Sequence, residues 1–350
     1  MNDIELLDEL TSTPGVSGDE KRVADIITEK IKGLCDEYHT TALGSVIALK
    51  KSTSGKSRGK IAISAHMDEI GFVVSKIEKG GYLRLATVGG VDPKILSSQE
   101  VIILSHTGKE YKGVIGALAP HLQTEEERKE QPSHDKVFVD VIGLGEDEVR
   151  RNIRVGDSVT MTTHVTKLLK KRITGKSLDD RICVLTSIKL LRELNRMIFD
   201  WDIYIVFSSQ EEIGSPGAQV ATYEIEPDIG IAIDVTMGDI HGVKEKLSEL
   251  GKGPVLSLGP TCSPKIAKEI KRIAREINVP LQLEASVRTG TDADSMFLVG
   301  SGVPIGVLSI PLRYMHTNVE LIDLDDVNNL VRLLSEYINR LDKTYEEAFL

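Results

Sequence analysis

The sequence predicts an α/β protein in which a mostly parallel sheet, flanked by helices, is interrupted by a small inserted β domain. Three observations lead there. From about residue 172 onward, strand-like apolar runs alternate with helical periodicity, the pattern of a parallel sheet covered on both faces. Between about residues 71 and 165 the texture changes to short β-branched runs punctuated by glycine. At 350 residues the chain exceeds what one hydrophobic core usually organises, which favours a large domain carrying an insertion, or two domains. The expected division is residues 1–70 with 167–350 for the α/β body and 71–166 for the β insertion.

The elements follow in order. Residues 4–11 read as a short helix, ended by Pro14 and Gly15. Ser17, three residues before Glu20, reads as the cap of a second helix whose apolar face is Val23, Ile26, Ile27 and Ile31. Extended runs at 45–49 and 61–65 flank the stretch KSTSGKSRGK, which predicts an exposed hairpin loop. In the insertion, strands are expected at 71–77, 101–105, 137–141 and 158–163, and the charged stretch 121–135 as a solvated loop or helix. Beyond the basic stretch 167–172 come a helix at 180–196, strands at 203–208 and 229–234, and a helix at 264–276. A strand near 307–309 and a helix at 324–341 complete the chain, in which no repeat of fixed period is visible.

Composition narrows the partners. Hydrophobic residues at 41% and charged residues at 27% describe an ordinary globular chain and exclude wholesale disorder. The net charge of −10 disfavours nucleic acid or an anionic membrane as the main partner and suits a protein that holds cations. Cys35, Cys183 and Cys262 are far apart and form no CxxC pair. They predict neither a disulfide framework nor a thiolate zinc site, and they place the chain in a reducing, cytoplasmic compartment. The first fifteen residues mix acids with apolar residues, so no secretory signal is expected, and no run approaches the roughly eighteen apolar residues that span a bilayer.

The chemistry sits at the ends of strands. His66 and Asp68 close the apolar run 61–65; residues two apart in an extended chain face one side, so the carboxylate can orient an imidazole that holds a metal. Asp179 and Asp180 open a helix. Asp180 reads equally as its cap, whereas Asp179 can project into a cleft where its two oxygens bridge a pair of cations. Glu211 and Glu212 come directly after a buried strand, at the edge where α/β sheets bind ligands. Adjacent buried carboxylates repel, so the pair needs cations or a proton. A metal-assisted hydrolase uses such a pair well, one carboxylate ligating and its neighbour taking a proton from water. Asp234 ends the apolar run 229–233, and His316 follows 307–310 after a Pro311 turn. Each residue alone has an ordinary structural reading; five strand or helix edges carrying His, Asp, Glu, Asp and His together indicate an open metal site. Nitrogen and oxygen ligands without thiolates suit zinc, cobalt or manganese.

The strings His66-Met67-Asp68-Glu69-Ile70-Gly71, Leu178-Asp179-Asp180-Arg181, Gln210-Glu211-Glu212-Ile213-Gly214, Ile233-Asp234-Val235-Thr236 and Tyr314-Met315-His316-Thr317 carry a resemblance. Together, and in this order, they resemble the M42 family of dinuclear metallo-aminopeptidases, which includes glutamyl, deblocking and tetrahedral aminopeptidases. The resemblance covers essentially the whole chain and implies a fold of the dinuclear zinc exopeptidase type. It implies two divalent ions per subunit, zinc first and cobalt or manganese next. His66 and Asp234 would hold one ion, Glu212 and His316 the other, with Asp179 bridging, Glu211 as general base and Asp68 orienting His66. The implied activity is removal of amino-terminal residues from short peptides by a water activated between two metals. Relatives form dimers and dodecamers, so a homo-oligomer is expected, dodecamer before dimer, with the β insertion in an assembly and pocket-shaping role. The stretch Gly290-Thr291-Asp292-Ala293-Asp294 resembles a loop near the substrate in the family, with Arg288 just before it able to meet an acidic side chain; it reads equally as a glycine turn into a helix beginning near Asp294. The stretches Ala42-Leu43-Gly44-Ser45 and Asp239-Ile240-His241-Gly242 depart from the family's usual residues and leave the metal set intact.

Other classes compete. Many relatives carry an endoglucanase label, but a glycoside hydrolase needs aromatic sugar platforms. Aromatic residues are 4% here and the single Trp201 reads as strand packing. A deacylase or carboxypeptidase on a similar dinuclear body is a closer alternative. An inactive assembly scaffold is disfavoured because all five ligands and the base are present.

Overall fold

The computed structural model describes residues 2–245 and 247–341. Its centre is an eight-stranded sheet in the order Glu37–Thr40, Val46–Lys50, Asp202–Ser208, Lys60–His66, Ile229–Met237, Ile305–Leu312, Val255–Leu258, Gln282–Ala285. The parallel arrangement holds for the four strands from Asp202–Ser208 to Ile305–Leu312. Antiparallel pairings flank them on both sides, so the sheet as a whole is mixed.

The strands bury both faces, which is why they read as continuous apolar runs. Ile61, Ile63 and Ala65 enter a core shared with the helices Asp3–Ser12, Lys21–Ile31, Leu178–Leu194, Pro264–Glu276 and Leu324–Asn339. Ala62 and Ala232 face the opposite side, against helices Pro216–Ile225 and Ala293–Met296. Ile63 is fully buried, so Ile63→Ala would cost about 2–5 kcal/mol through lost burial and the cavity left behind. Among the described residues, no helix is long and apolar enough to cross a membrane.

Two local expectations are corrected. The runs flanking KSTSGKSRGK do not pair as a hairpin: strand Asp202–Ser208 lies between Val46–Lys50 and Lys60–His66 and bonds to both. Ser17 does not cap the helix Lys21–Ile31, whose N-terminal flank is Glu20. The Ser17 hydroxyl instead donates to Asp68 Oδ2 at 2.5 Å. The hydroxyl is a donor here, to a buried carboxylate, whereas a cap would use its oxygen as an acceptor for the helix N–H groups; a charge-assisted bond of this kind is about twice as strong as a neutral one.

Between residues 71 and 161 six antiparallel strands close into a barrel, in the order Gly71–Ile77, Leu83–Val88, Phe138–Val141, Glu110–Ile115, Gln99–Leu104, Ser158–Met161. Its interior is filled by residues that alternate along the strands, among them Phe72, Val74, Val101, Ile103, Val139 and Val159. A short helix, Glu125–Lys129, occupies the charged stretch beside it. A three-stranded sheet, Thr166–Lys167, Arg172–Gly175 and Glu320–Asp323, leads the chain back to the body and sets Gly175 opposite Glu320.

Candidate metal centre

The parallel strands bring their carboxyl ends to one rim, and the seven residues singled out above collect there. Strand Lys60–His66 delivers His66, whose register partner Ser208 ends the strand that precedes Glu211 and Glu212. Strand Ile229–Met237 delivers Asp234. Asp179 stands at the start of helix Leu178–Leu194, where the Asp179–Asp180 peptide is cis. His316 sits in the loop after Ile305–Leu312 with φ +61°, a left-handed conformation unusual for a side chain of this size.

Asp179 occupies the middle. Its Oδ1 lies 3.1 Å from His66 Nε2 and its Oδ2 lies 3.2 Å from His316 Nε2. Glu212 Oε1 is 3.3 Å from His316 Nε2, and Asp234 Oδ1 is 3.9 Å from His66 Nε2. Ligand atoms of His66, Asp179 and Glu212 can converge on one point, as can those of His66, Asp180 and Asp234. Behind His66, Asp68 Oδ1 stands 3.3 Å from Nδ1. Asp68 is fully buried and also accepts the backbone N–H groups of Glu211 and Glu212 at 3.0 and 3.2 Å. One carboxylate thereby ties the histidine strand to the paired glutamates. Glu211 accepts the Ser215 hydroxyl at 3.2 Å.

Buried negative charge dominates the electrostatics. Burial pushes Glu211 up to about 9, helped by the charges of Asp234, Asp292 and Glu212. Burial likewise raises Glu212, Asp180 and Asp234. Burial works against the imidazolium of His316, but hydrogen bonds to Asp179 and Glu212 outweigh it and raise the ring to about 11. Burial would raise Asp179 as well; the two histidines prevail and hold it below the usual carboxylate range. Two imidazoles cannot balance this many acids, and divalent cations would remove the repulsion. Asp180 Oδ1 is buried without a hydrogen-bond partner. The donor set of carboxylate oxygens and imidazole nitrogens fits hard-to-borderline divalent metals.

Glu320 and Gly90 were not singled out from sequence, and Asp180 and Arg181 stood in the Leu178-Asp179-Asp180-Arg181 string without an assigned part in the centre. Asp180 does not cap its helix; it is fully buried and accepts the His66 N–H at 3.2 Å. Glu320 is buried beside Asp179 and His316. Gly90, from the barrel, places its carbonyl 2.9 Å from His316 Nδ1. Arg181, fully buried, donates to the carbonyls of Met67, Leu10 and Thr13 and locks the N-terminal turn to this rim. Spacing does not reveal Glu320 or Gly90, because the first acts on backbone N–H groups and the second through its own carbonyl. The 290–294 stretch forms a turn into helix Ala293–Met296, and its Asp292 is buried, accepting the hydroxyls of Ser64 and Ser208.

A mixed sheet flanked by helices, with the buried His66, the half-buried His316 and a cluster of carboxylates on one rim, has the make-up of a metal-dependent hydrolase. Residues 44–333 match the M42 glutamyl aminopeptidase family, and the chain belongs to it. It is an aminopeptidase. The lysyl aminopeptidase of Pyrococcus furiosus is 40% identical over 346 residues, covering 97% of this chain and 98% of that protein. The solved aminopeptidase APDkam598 of Desulfurococcus kamchatkensis superposes with a TM-score of 0.92 at 36% identity, covering 99% of this chain and 98% of that one. The Pyrococcus horikoshii TET1 peptidase, which can assemble into a tetrahedron or a large octahedral shell, gives a TM-score of 0.85 at 28% identity, covering 97% and 100% of the two chains. The endoglucanase reading is not favoured: these carboxylates converge on two imidazoles, whereas a glycosidase sets its pair on either side of a sugar.

Proposed function

We propose that this aminopeptidase trims short peptides using two divalent cations, zinc first and cobalt or manganese next, on a dinuclear exopeptidase body. His66 and Asp234 would hold one ion, Glu212 and His316 the other, and Asp179 would bridge them. The observation that carries this reading is the division of Asp179, whose two oxygens each face a different imidazole at 3.1 and 3.2 Å. Bound there, the ions would supply Lewis acidity, polarising the scissile carbonyl and making water a nucleophile at neutral pH.

The chain's own residues do the rest. Glu211 takes the proton of the attacking water and returns it to the leaving amine. Its high proton affinity without cations suits it to accept that proton once nearby positive charge brings it down. Asp68 keeps the His66 ring turned toward the centre and fixes the backbone that carries Glu211 and Glu212. A free substrate α-amine bound at the centre would confine cleavage to amino termini, which separates this reading from a deacylase or carboxypeptidase.

The same proposal treats residues 71–166 as the inserted domain, with 1–70 and 167–350 as the catalytic body. It takes the protein as a cytoplasmic homo-oligomer, dodecamer before dimer, consistent with the free cysteines Cys35, Cys183 and Cys262 and with the assembly of the TET1 peptidase. The test is release of p-nitroaniline from aminoacyl anilides against sugar release from carboxymethylcellulose, each with and without chelator. Anilide cleavage abolished by EDTA and restored by zinc is expected; sugar release that survives EDTA would overturn the reading. A monomeric mass by light scattering with metal present would refute the oligomer.

A further inference from the structure

We infer that Glu320 is a positioning residue that sets the separation of the Asp179 and His316 side chains by accepting the backbone N–H of each; this rests on the metal-centre reading above. The contacts are divided between its two oxygens: Oε2 accepts the Asp179 N–H at 3.1 Å and Oε1 accepts the His316 N–H at 2.8 Å. Glu320 is 2% exposed, so losing either bond would cost the desolvation of a buried N–H. Its backbone is fixed independently. Glu320 begins strand Glu320–Asp323, which pairs with Arg172–Gly175, and Asp323 at the far end accepts the N–H of Asp325 to start helix Leu324–Asn339.

Both clients need such a holder. His316 has φ +61°, a conformation that costs a non-glycine residue energy unless its surroundings enforce it. Asp179 departs from helical geometry at φ −76°, ψ 105°, so its N–H has no place in the helix that follows. A carboxylate is the side chain that serves two converging donors with two acceptors. An amide offers one acceptor, and its NH2 group would confront the second N–H. Bridging an ion pair demands that Asp179 and His316 keep one spacing, and Glu320 is the contact common to both.

The test compares wild type, Glu320→Gln and Glu320→Asp, stripped of metal and titrated with zinc against a chromophoric chelator, with melting temperatures recorded before and after loading. Cobalt is added in parallel for its visible spectrum. Wild type should bind zinc and melt higher when loaded. Glu320→Gln should bind about 10–100-fold more weakly, the usual loss when an outer partner of a metal ligand is removed. Its cobalt bands should shift, and the rise in melting temperature on loading should shrink. Glu320→Asp keeps both carboxyl oxygens but is one methylene short of spanning both donors; it should weaken zinc binding too, which keeps the test open if the glutamine variant folds poorly. Wild-type zinc affinity and an unchanged cobalt spectrum in either variant would overturn the inference, as would metal-free and loaded melting temperatures that fall equally. Wild type that takes up no zinc would instead overturn the metal-centre reading, and the inference with it.

Discussion

The carbonyl oxygen of Gly90 lies 2.9 Å from Nδ1 of His316. A carbonyl only accepts, so Nδ1 donates to it, and Nε2 is the nitrogen that faces Asp179 and Glu212. The loop after barrel strand Leu83–Val88 therefore reaches the candidate metal centre with a backbone atom. A Cβ at Gly90 would sit 3.0 Å from Nδ1 and 3.3 Å from Cε1 of the same ring. Gly90→Ala should turn the imidazole and lower zinc affinity by about 10–100-fold, read by equilibrium dialysis, with little change in the circular dichroism spectrum. Unchanged affinity would show that the ring is held by other contacts.

Glu211→Gln should leave metal content near wild type while turnover falls by about two to four orders of magnitude, the usual loss for a general base. Elemental analysis alongside steady-state kinetics separates the two effects. Retained turnover would remove Glu211 from proton transfer.

Ser17→Ala deletes the 2.5 Å hydrogen bond to Asp68. A hydrogen bond to a buried charge contributes about 1.5–3 kcal/mol, so urea unfolding should detect a loss of that order. Asp68→Asn should lose more, because its amide keeps an oxygen for only one of the N–H groups of Glu211 and Glu212 and turns a donor on the other. Equal losses in the two variants would contradict this ranking.

Glu20 predicts a pH dependence. Burial, with the Asp68 charge adding, raises its carboxyl from an ordinary 4.5 to about 7. The folded state then holds a proton that the unfolded chain has lost. The contribution is complete below 4.5 and declines as pH rises, until it is gone above about 7. Between those limits the slope is about 1.4 kcal/mol per pH unit. The N–H groups of Gly18 and Gln210 both bond to Oε1, so a glutamine oxygen can keep both. Glu20→Gln should flatten stability between pH 5 and 7, roughly the window set by those values, in denaturant titrations. Parallel curves for the two proteins would sink this assignment.

Much of the rim was legible because several of its residues follow apolar runs, His66 after 61–65, Asp234 after 229–233 and the glutamate pair after 203–208, while Asp179 opens a helix. A polar side chain at such a place has few structural uses, and several strand and helix edges carrying His, Asp and Glu point to one rim. The helices and most strands were legible for the ordinary reason that burial imposes a period. Strand order was not. Nothing local in 46–50 or 60–66 says that residues 202–208 will lie between them, since that choice is made by long-range packing. Ser17 was misread because its capping pattern is a local signal and its partner lies 51 residues away. Glu320 and Gly90 were silent because they act on backbone N–H or through a backbone carbonyl, which composition and spacing do not encode.

The position of strand Asp202–Ser208 also orders events during synthesis. When the ribosome has delivered residue 161, the six barrel strands are all present, whereas five of the eight central strands have yet to emerge. Lys60–His66 must wait for both of its neighbours, so its apolar surface stays without a sheet partner while the barrel can already close. The nascent chain thus carries one finished module beside an adhesive, half-built one, and that interval is where a chaperone would find the most to hold.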